Sequence, residues 1–184
     1  MIIENAEYNN LKIDTLKKLK LLNDRIYNSP TKLRVHDNSW QVRAFYMMID
    51  ELIVSYAGVA RLNVRIGRQK YKILALTWVG TDPKYRSRGI ASELIRFAVD
   101  WMEKNETFDM WLFTAQAAQV SFYQQNSRVK QYDDITLVSN NSVEALNSGK
   151  IEVKVLAKPM SERGRQVLLR GGVINLGIES NQFV

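Results

Sequence analysis

The chain has 184 residues, of which 46% are hydrophobic and 24% are charged, so one globular domain with a sizeable core is expected. It contains no cysteine and one histidine, His36. This excludes disulfides, thiolate zinc sites, a cysteine nucleophile and a multi-histidine metal site within one chain. The formal net charge is +7, but the lysines and arginines are dispersed, which is typical of a solvated surface rather than a nucleic-acid interface.

Neither a leader nor a membrane span is predicted. The segment Met1 to Asn5 lacks the basic stretch and the following apolar stretch of a signal peptide. No apolar run of the sequence approaches the roughly 20 residues that cross a bilayer. We therefore expect a cytoplasmic protein.

The first predicted element is a helix from Leu11 to Tyr27, where leucine and isoleucine residues recur at helical spacing. Asn28 to Pro30 ends it. A polar connection, Thr31 to Ser39, leads to the next element.

Three strands are predicted next, each rich in β-branched and aromatic residues: Gln41 to Ile49, Leu52 to Asn63 and Tyr71 to Val79. Short links join them, the first at Asp50-Glu51 and the second at Ile66 to Arg68. Consecutive strands with short links predict an antiparallel meander.

A helix and a further strand come after the meander. Ser92 to Lys104 repeats its apolar residues at three and four positions, as an amphipathic helix does, and Asp109 to Thr114 is a short apolar strand. A strand, a crossover helix and another strand predict a parallel pair. A second, short helix fits Ala117 to Asn126.

Two late strands are predicted at Ile135 to Val138 and at Ile151 to Ala157, with a polar insert between them. The Gly- and Arg-rich residues 159–184 are expected to be a tail that packs on the same domain as a loop or is partly disordered. The remaining residues, 1–158, are the predicted domain. Its class is α+β, with a mixed, mostly antiparallel central sheet flanked by helices. A ligand cleft is expected where adjacent strands diverge at their carboxyl ends.

The segment Arg86 to Ala91 lies between a predicted strand and a predicted helix. A helix start offers free backbone N–H groups and the positive end of the helix dipole, which together bind anions. Gly89 lets the backbone approach a ligand, and Arg86 and Arg88 add positive charge. These features predict a phosphate site, and a diphosphate is the ligand that suits it best. The Walker lysine pattern and Gly-x-Gly-x-x-Gly are both absent, which disfavours ATP and NAD.

The longer segment Val79 to Ala91 resembles the acetyl-CoA signature of the GNAT superfamily of N-acetyltransferases, a strand end followed by Arg/Gln-x-x-Gly-x-Gly/Ala at a helix start. The order of the predicted elements is similar to that of the family from Ile2 to Ala157. Ala117 to Asn126 resembles its second motif, in which a helix carries Phe-Tyr before a Gly-Phe pair, although here that pair is replaced by Ser127-Arg128. The resemblance implies the GNAT fold, with a CoA cleft between splayed strands, and acetyl-CoA as the acyl donor.

The resemblance also implies the site residues. The expected ligands of the CoA diphosphate are at the helix start: Arg86, Ser87, Arg88, Gly89, Ile90, Ala91 and Ser92. The Val79 N–H would face the thioester carbonyl, and the Thr81 backbone would pair with pantetheine. Tyr123 is the candidate general acid, because a phenol can protonate a leaving thiolate. Packing beside Phe122 is the alternative for Tyr123.

The general base stays open, because no glutamate lies on Tyr71 to Val79, where many relatives carry one. The candidates are Asp50, Glu51, Asp133, Asp134 and His36, or a carboxylate acting through water. Most of these are expected to be surface or turn residues, and His36 is expected to be exposed to solvent.

The predicted function is transfer of an acetyl group from acetyl-CoA to a primary amine by direct attack. The acceptor is open between a small molecule and a peptide amine. Late segments, Ile151 to Val155 and Gly172 to Gly177, are faintly similar to aminoglycoside 2'-N-acetyltransferases, although a polycation suits a +7 protein poorly. Two alternatives are a non-catalytic acyl-CoA sensor or partner-binding protein on the same fold, and a basic nucleic-acid-binding module. The resemblance also allows a homodimer, with the late strands as its interface.

Overall fold

The computed structural model describes residues 1–36 and 40–179. The strands are β1 (Ile2–Glu7), β2 (Gln41–Ile49), β3 (Leu52–Ile66), β4 (Gln69–Thr81), β5 (Met110–Gln116), β6 (Lys130–Gln131), β7 (Ile135–Val138), β8 (Val153–Pro159) and β9 (Gly172–Asn175). The helices are α1 (Ile13–Tyr27), α2 (Ile90–Asn105), α3 (Val120–Ser127) and α4 (Glu162–Arg170). Within the described ranges, no helix combines the length and the apolar character that crossing a bilayer requires.

Seven strands form one mixed sheet in the order β1-β2-β3-β4-β5-β8-β6, and β7 and β9 form a second sheet. This confirms the predicted α+β class. The chain divides into two compact units. The first unit comprises residues 1–60 and 76–105, and the second comprises residues 61–75 and the described residues from 106 onwards. Strands β3 and β4 contribute to both units.

Helix α1 packs on the first unit through an apolar stripe at helical spacing. Its fully buried leucines are Leu16, Leu19 and Leu22. A 3-10 turn over Tyr8–Asn10 precedes the helix, and Leu11 has an extended backbone, so the helix starts slightly later than predicted. It ends at Asn28, which adopts φ +50, a left-handed conformation that asparagine tolerates.

The predicted meander is present as β2, β3 and β4, which are neighbours in the sheet. Strand β2 has the predicted bounds, whereas β3 and β4 extend further along the chain than the sequence pattern indicated. Asp50 and Glu51 both have positive φ, +47° and +63°. A two-residue hairpin turn of the kind that suits the strand twist requires this conformation at both central positions.

Strand β1 is an element that the sequence analysis missed. It pairs antiparallel with β2, from Ile2 opposite Met48 to Glu7 opposite Arg43. Several of its residues are acidic or polar, which hid it from a search for apolar alternation. As an edge strand it tolerates them, and the Tyr46 hydroxyl donates to Glu4 Oε2 at 2.8 Å.

In the second unit, the start of β4 and β5 form the parallel pair that the crossover rule predicted, with Ile73 opposite Met110. On its other side β5 pairs antiparallel with β8. The register runs from Met110 opposite Pro159 to Gln116 opposite Val153. Strand β5 therefore lies between two strands, and its residues from Met110 to Phe113 are fully buried.

Asp109 connects the starts of three elements of the second unit. Its carboxylate accepts from the Lys72 N–H at 3.0 Å and from the Ser161 hydroxyl at 2.8 Å. Its carbonyl oxygen accepts from the Met160 N–H at 2.8 Å. Helix α4 then passes so close that a Cβ at Gly164 would lie 2.1 Å from the same carbonyl oxygen. These contacts fix the starts of β5 and α4 beside the start of β4.

The segment after residue 158, which was expected to be a loop or a partly disordered tail, contains a helix and a strand. Ser161 caps α4 by accepting from the Gly164 N–H, and the helix buries Val167 and Leu168. Strand β9 then pairs parallel with β7. The helix was missed because its few apolar residues stand among arginines. Residues 180–184 of the predicted tail and 37–39 of the predicted polar connection lie outside the described residues, and the domain boundary at 158 stays a prediction.

Candidate functional site

The turn that links β4 to α2 is built around Asp82, which is only 4% exposed. The Asp82 N–H donates to the Val54 carbonyl at 2.9 Å, which attaches the strand end to β3. Oδ1 accepts from the Lys84 N–H at 2.9 Å and so caps the 3-10 turn Pro83–Tyr85. Oδ2 accepts from the Arg25 guanidinium at 2.6 Å, an ion pair that connects the turn to α1. One buried carboxylate therefore sets the direction in which the chain leaves the sheet.

The backbone between this turn and α2 adopts left-handed conformations at two exposed positions. Ser87 has φ +60 and Gly89 has φ +76. No heavy atom beyond the neighbouring residues lies within 4 Å of the place that a Cβ would take at Gly89. Helix α2 begins there, since the Glu93 N–H donates to the Gly89 carbonyl at 3.0 Å. The N–H groups of the first helical turn have no partner within the helix, and the residues just before the helix, Arg86 to Gly89, are exposed.

Two arginines stand on either side of Ser87, and both are exposed. Arg86 Nε donates to the Thr81 carbonyl at 3.2 Å, which leaves the charge of its guanidinium at the turn. The guanidinium carbon of Arg88 lies 5.5 Å from the centre of the Tyr85 ring. The turn therefore combines positive side chains with a helix start, as the sequence predicted.

The start of α2 is fixed to the sheet by Ile90, which is 4% exposed. Its side chain packs with the buried residues Met47 and Val54. Partly buried Tyr85 packs against the same cluster. Of the predicted diphosphate ligands, Ile90 has only its backbone available to a ligand, because its side chain is part of the core.

The end of β4 departs from regular strand geometry. Trp78 has φ +51, which is unusual for a bulky residue and marks a local interruption of the strand. Beyond it, the Ser55 hydroxyl lies 2.8 Å from Thr81 Oγ1 and 3.1 Å from the Gly80 carbonyl. Val79 and Thr81 are partly exposed between these fixed points. The hydroxyl of Ser55 therefore holds the strand end in place after its interruption.

His36 is buried, with 5% exposure, so the expectation of an exposed histidine is wrong. Its Nε2 lies 2.7 Å from the hydroxyl of buried Tyr56. The ring fits because position 58 is glycine: a Cβ there would lie 3.0 Å from Nε2. Burial lowers the pKa of His36 to about 3. Such a weak base cannot accept a proton from an amine of pKa near 10, which removes His36 from the candidate bases.

The carboxylate candidates for the base occupy two turns. Asp50 and Glu51 are exposed in the β2–β3 hairpin, where their backbone conformation forms the turn. In the second unit, Asp133 accepts from the Gln131 side chain at 2.7 Å, and Asp134 accepts from the Gly172 N–H through its carbonyl. All four carboxylates are exposed, and the general base stays unassigned.

Tyr123 belongs to the second unit and is 8% exposed. Its ring makes edge contacts with Phe113 and Phe122 at centroid distances of 5.3 and 5.2 Å. The Ser127 hydroxyl donates to the Tyr123 carbonyl at 2.6 Å. Helix α3 ends at Ser127, and the left-handed residue is Arg128, with φ +59. The helix end that the resemblance assigned to a glycine is thus formed here by a serine that hydrogen-bonds back to the helix and an arginine in the left-handed conformation.

The sequence profile of the GNAT acetyltransferase domain matches residues 24–126, more than half of the chain. The chain belongs to the GNAT acetyltransferase family. It is an acetyl-CoA-dependent N-acyltransferase, and acetyl-CoA is its acyl donor. The matched region includes the Asp82 turn, the left-handed residues and the start of α2.

Solved structures share the fold of this GNAT protein. YhbS of Escherichia coli, a GNAT family N-acetyltransferase in complex with CoA, has a TM-score of 0.67 at 15% identity, over 95% of this chain and 88% of that chain. An acyl-CoA N-acyltransferase from Pseudomonas aeruginosa has a TM-score of 0.60 at 13% identity, over 85% and 98%. A ribosomal-protein alanine N-acetyltransferase from Escherichia coli has a TM-score of 0.56 at 12% identity, over 90% and 99%.

No curated protein matches the sequence. None of these matches shows the similarity to aminoglycoside 2'-N-acetyltransferases, which stays a prediction.

The residues that support the turn were not predicted from the sequence. Asp82 directly before Pro83 carries a recognisable signal, because an aspartate followed by a proline is typical of a helix start. Arg25 carried no signal, since it lies 57 positions away from Asp82 in a helix with several other basic residues. Ser55 was hidden in an apolar strand.

Burial of the single histidine predicts how stability depends on pH. In the folded protein the pKa of His36 is about 3, whereas its ordinary value is 6.5. Between these two pH values the unfolded chain binds a proton at His36 and the folded chain does not. Protonation of His36 in the unfolded chain should therefore lower the free energy of unfolding by about 1.4 kcal/mol for each pH unit below 6.5. Between pH 7.5 and 4.5 the loss is roughly 2–3 kcal/mol.

Urea unfolding of the wild type and of His36→Phe at both pH values measures this contribution, because the other titrating groups are common to the two proteins. The variant should lose less stability than the wild type on acidification. An equal loss in both proteins would contradict the buried neutral histidine.

Proposed function

We propose that the turn from Arg86 to Ser92 binds the diphosphate of acetyl-CoA. The observation that carries this proposal is the exposed left-handed backbone at Ser87 and Gly89 at the start of α2, with open space where a Cβ would stand at Gly89. Free N–H groups of Ser87, Gly89, Ala91 and Ser92 would donate to phosphate oxygens, as helix starts do. Arg86 and Arg88 would add charge, which strengthens hydrogen bonds to an anion.

The end of β4 is proposed to hold the acyl end of the same substrate. The Val79 N–H would donate to the thioester carbonyl, and the Thr81 backbone would pair with the pantetheine amides. The interruption at Trp78 supports this, because a left-handed residue within a strand disturbs the regular pairing next to it. A backbone donor aimed at a developing oxyanion is worth about 3 kcal/mol.

The proposed reaction is direct attack by a primary amine. Acetyl-CoA supplies an activated acyl carbonyl. The amine nitrogen forms a bond to the carbonyl carbon, the carbon–sulfur bond breaks, and the leaving group departs as a thiolate. Tyr123 is proposed to give its phenolic proton to the thiolate and then to regain a proton from solvent. The proton that the amine loses passes to solvent or to a carboxylate.

The diphosphate site predicts that Gly89→Asp prevents CoA binding. An aspartate there places a negative charge beside the proposed phosphate position, so the Kd for CoA should rise by about 100-fold or more, measured by calorimetry. Gly67→Asp is the matched control, because Gly67 also has positive φ, +62°, with nothing within 4 Å of its Cβ position, and lies in the β3–β4 turn. Both variants carry the same backbone strain and the same added charge.

Gly67→Asp should bind CoA as the wild type does. Two results would overturn the diphosphate site: wild-type affinity in Gly89→Asp, or an equal loss of affinity in both variants.

The role of Tyr123 predicts that Tyr123→Phe lowers kcat by about 100-fold while the Kd for acetyl-CoA changes little, because the lost proton acts only on the leaving thiolate. Release of CoA with a panel of primary amines gives kcat, and calorimetry gives the Kd. Tyr71→Phe is the control, since Tyr71 is also buried in the second unit and donates its hydroxyl to Gln69 at 2.8 Å. Unchanged turnover in Tyr123→Phe would assign this residue to packing with Phe113.

A further inference from the structure

Two buried polar atoms on one short segment have no hydrogen-bond partner among the described residues. They are Arg34 Nη1 and His36 Nδ1, two positions apart after α1. Burying a polar group without a partner costs free energy, so such atoms in a folded protein indicate a missing ligand or water. Both atoms belong to the first unit and lie outside the diphosphate turn.

Tyr8 brings the two groups together. Its hydroxyl accepts from the Val35 N–H at 3.0 Å, which holds the segment that carries Arg34 and His36 against the phenol. The His36 ring meets the Tyr8 ring edge-on at a centroid distance of 4.7 Å. The guanidinium carbon of Arg34 lies 5.9 Å from the same ring centre. Both unpartnered side chains therefore border the Tyr8 ring.

The two atoms are both hydrogen-bond donors. A guanidinium only donates. His36 is neutral near pH 7, and its Nε2 lies 2.7 Å from the Tyr56 hydroxyl. A phenol is the better donor of that pair and an imidazole nitrogen the better acceptor, so the ring proton belongs on Nδ1. Two donors that border the same ring, one of them charged, suit an anionic oxygen group.

The donor pair adjoins the strand segment that is proposed to present the thioester. The His36 ring lies 6.4 Å from that of Trp78, which immediately precedes Val79. Tyr27 makes an edge contact with Trp78 at 5.6 Å. Trp78 and Tyr27 are 38% and 52% exposed, so aromatic surface is open to a ligand beside the donors.

We propose that Arg34 and His36 bind a carboxylate of the acceptor, so that the acceptor is a primary amine that also carries a carboxylate, as an amino acid does. This inference rests on the proposed function. The chain's charge of +7 agrees with an acceptor of this kind and disfavours a polycation. Arg34 and His36 select and position the acceptor, whereas the acyl transfer itself depends on the Val79 N–H and on Tyr123.

The test compares product pairs that differ only in the carboxylate, bound to the protein saturated with CoA. The probes are N-acetylphenylalanine against N-acetylphenethylamine, and 5-acetamidopentanoate against N-pentylacetamide. Calorimetry gives each Kd. In at least one pair the carboxylate form should bind about tenfold or more tightly, the scale of a charge-assisted hydrogen bond. Arg34→Gln should reduce that preference to less than about threefold.

Arg68→Gln is the control, because Arg68 is exposed in the β3–β4 turn of the second unit. It should keep the wild-type preference. Three results would overturn the inference: no carboxylate preference in either pair, no binding of any probe, or a preference that persists in Arg34→Gln. Failure of the proposed function would show separately, since Gly89→Asp would then bind CoA as the wild type does.

Discussion

The site depends on one buried carboxylate. Asp82 joins the end of β4 to Val54 through its backbone, caps the following 3-10 turn through one oxygen and binds Arg25 of α1 through the other. A buried carboxylate must have such partners, because without them its desolvation would be costly. These bonds fix where the chain turns towards α2, and the left-handed residues at Ser87 and Gly89 then expose the helix start. The proposed binding of a diphosphate rests on that geometry and on the charges of Arg86 and Arg88.

The elements with a strong hydrophobic period could be predicted from the sequence. Strand β2 and strand β7 have the predicted bounds, and α2 differs by two residues or fewer at each end. The exposed turn before α2 was also predictable, because a glycine, flanking arginines and a helix start are local features, and its binding of a diphosphate stays a proposal. In contrast, β1 and α4 depend on tertiary contacts. The first is a polar edge strand that pairs with β2, and the second packs so closely on Asp109 that only a glycine fits at position 164.

The supporting contacts of the site could not be predicted, because they join residues far apart in the chain. Arg25 and Asp82 are one case. His36 is another: it was expected at the surface, and it is buried because Gly58 leaves room for its ring beside Tyr56. A sequence pattern reports the side chain at a position but not the space opposite it. For the same reason, the two unpartnered donors near Tyr8 can be identified only in the folded chain.

The most direct test of the central claim is a crystal structure of the protein with acetyl-CoA bound. We predict that the diphosphate oxygens lie about 3 Å from backbone nitrogens between Ser87 and Ser92, with the guanidinium groups of Arg86 and Arg88 beside them. A diphosphate bound elsewhere, with no contact to this turn, would contradict the claim.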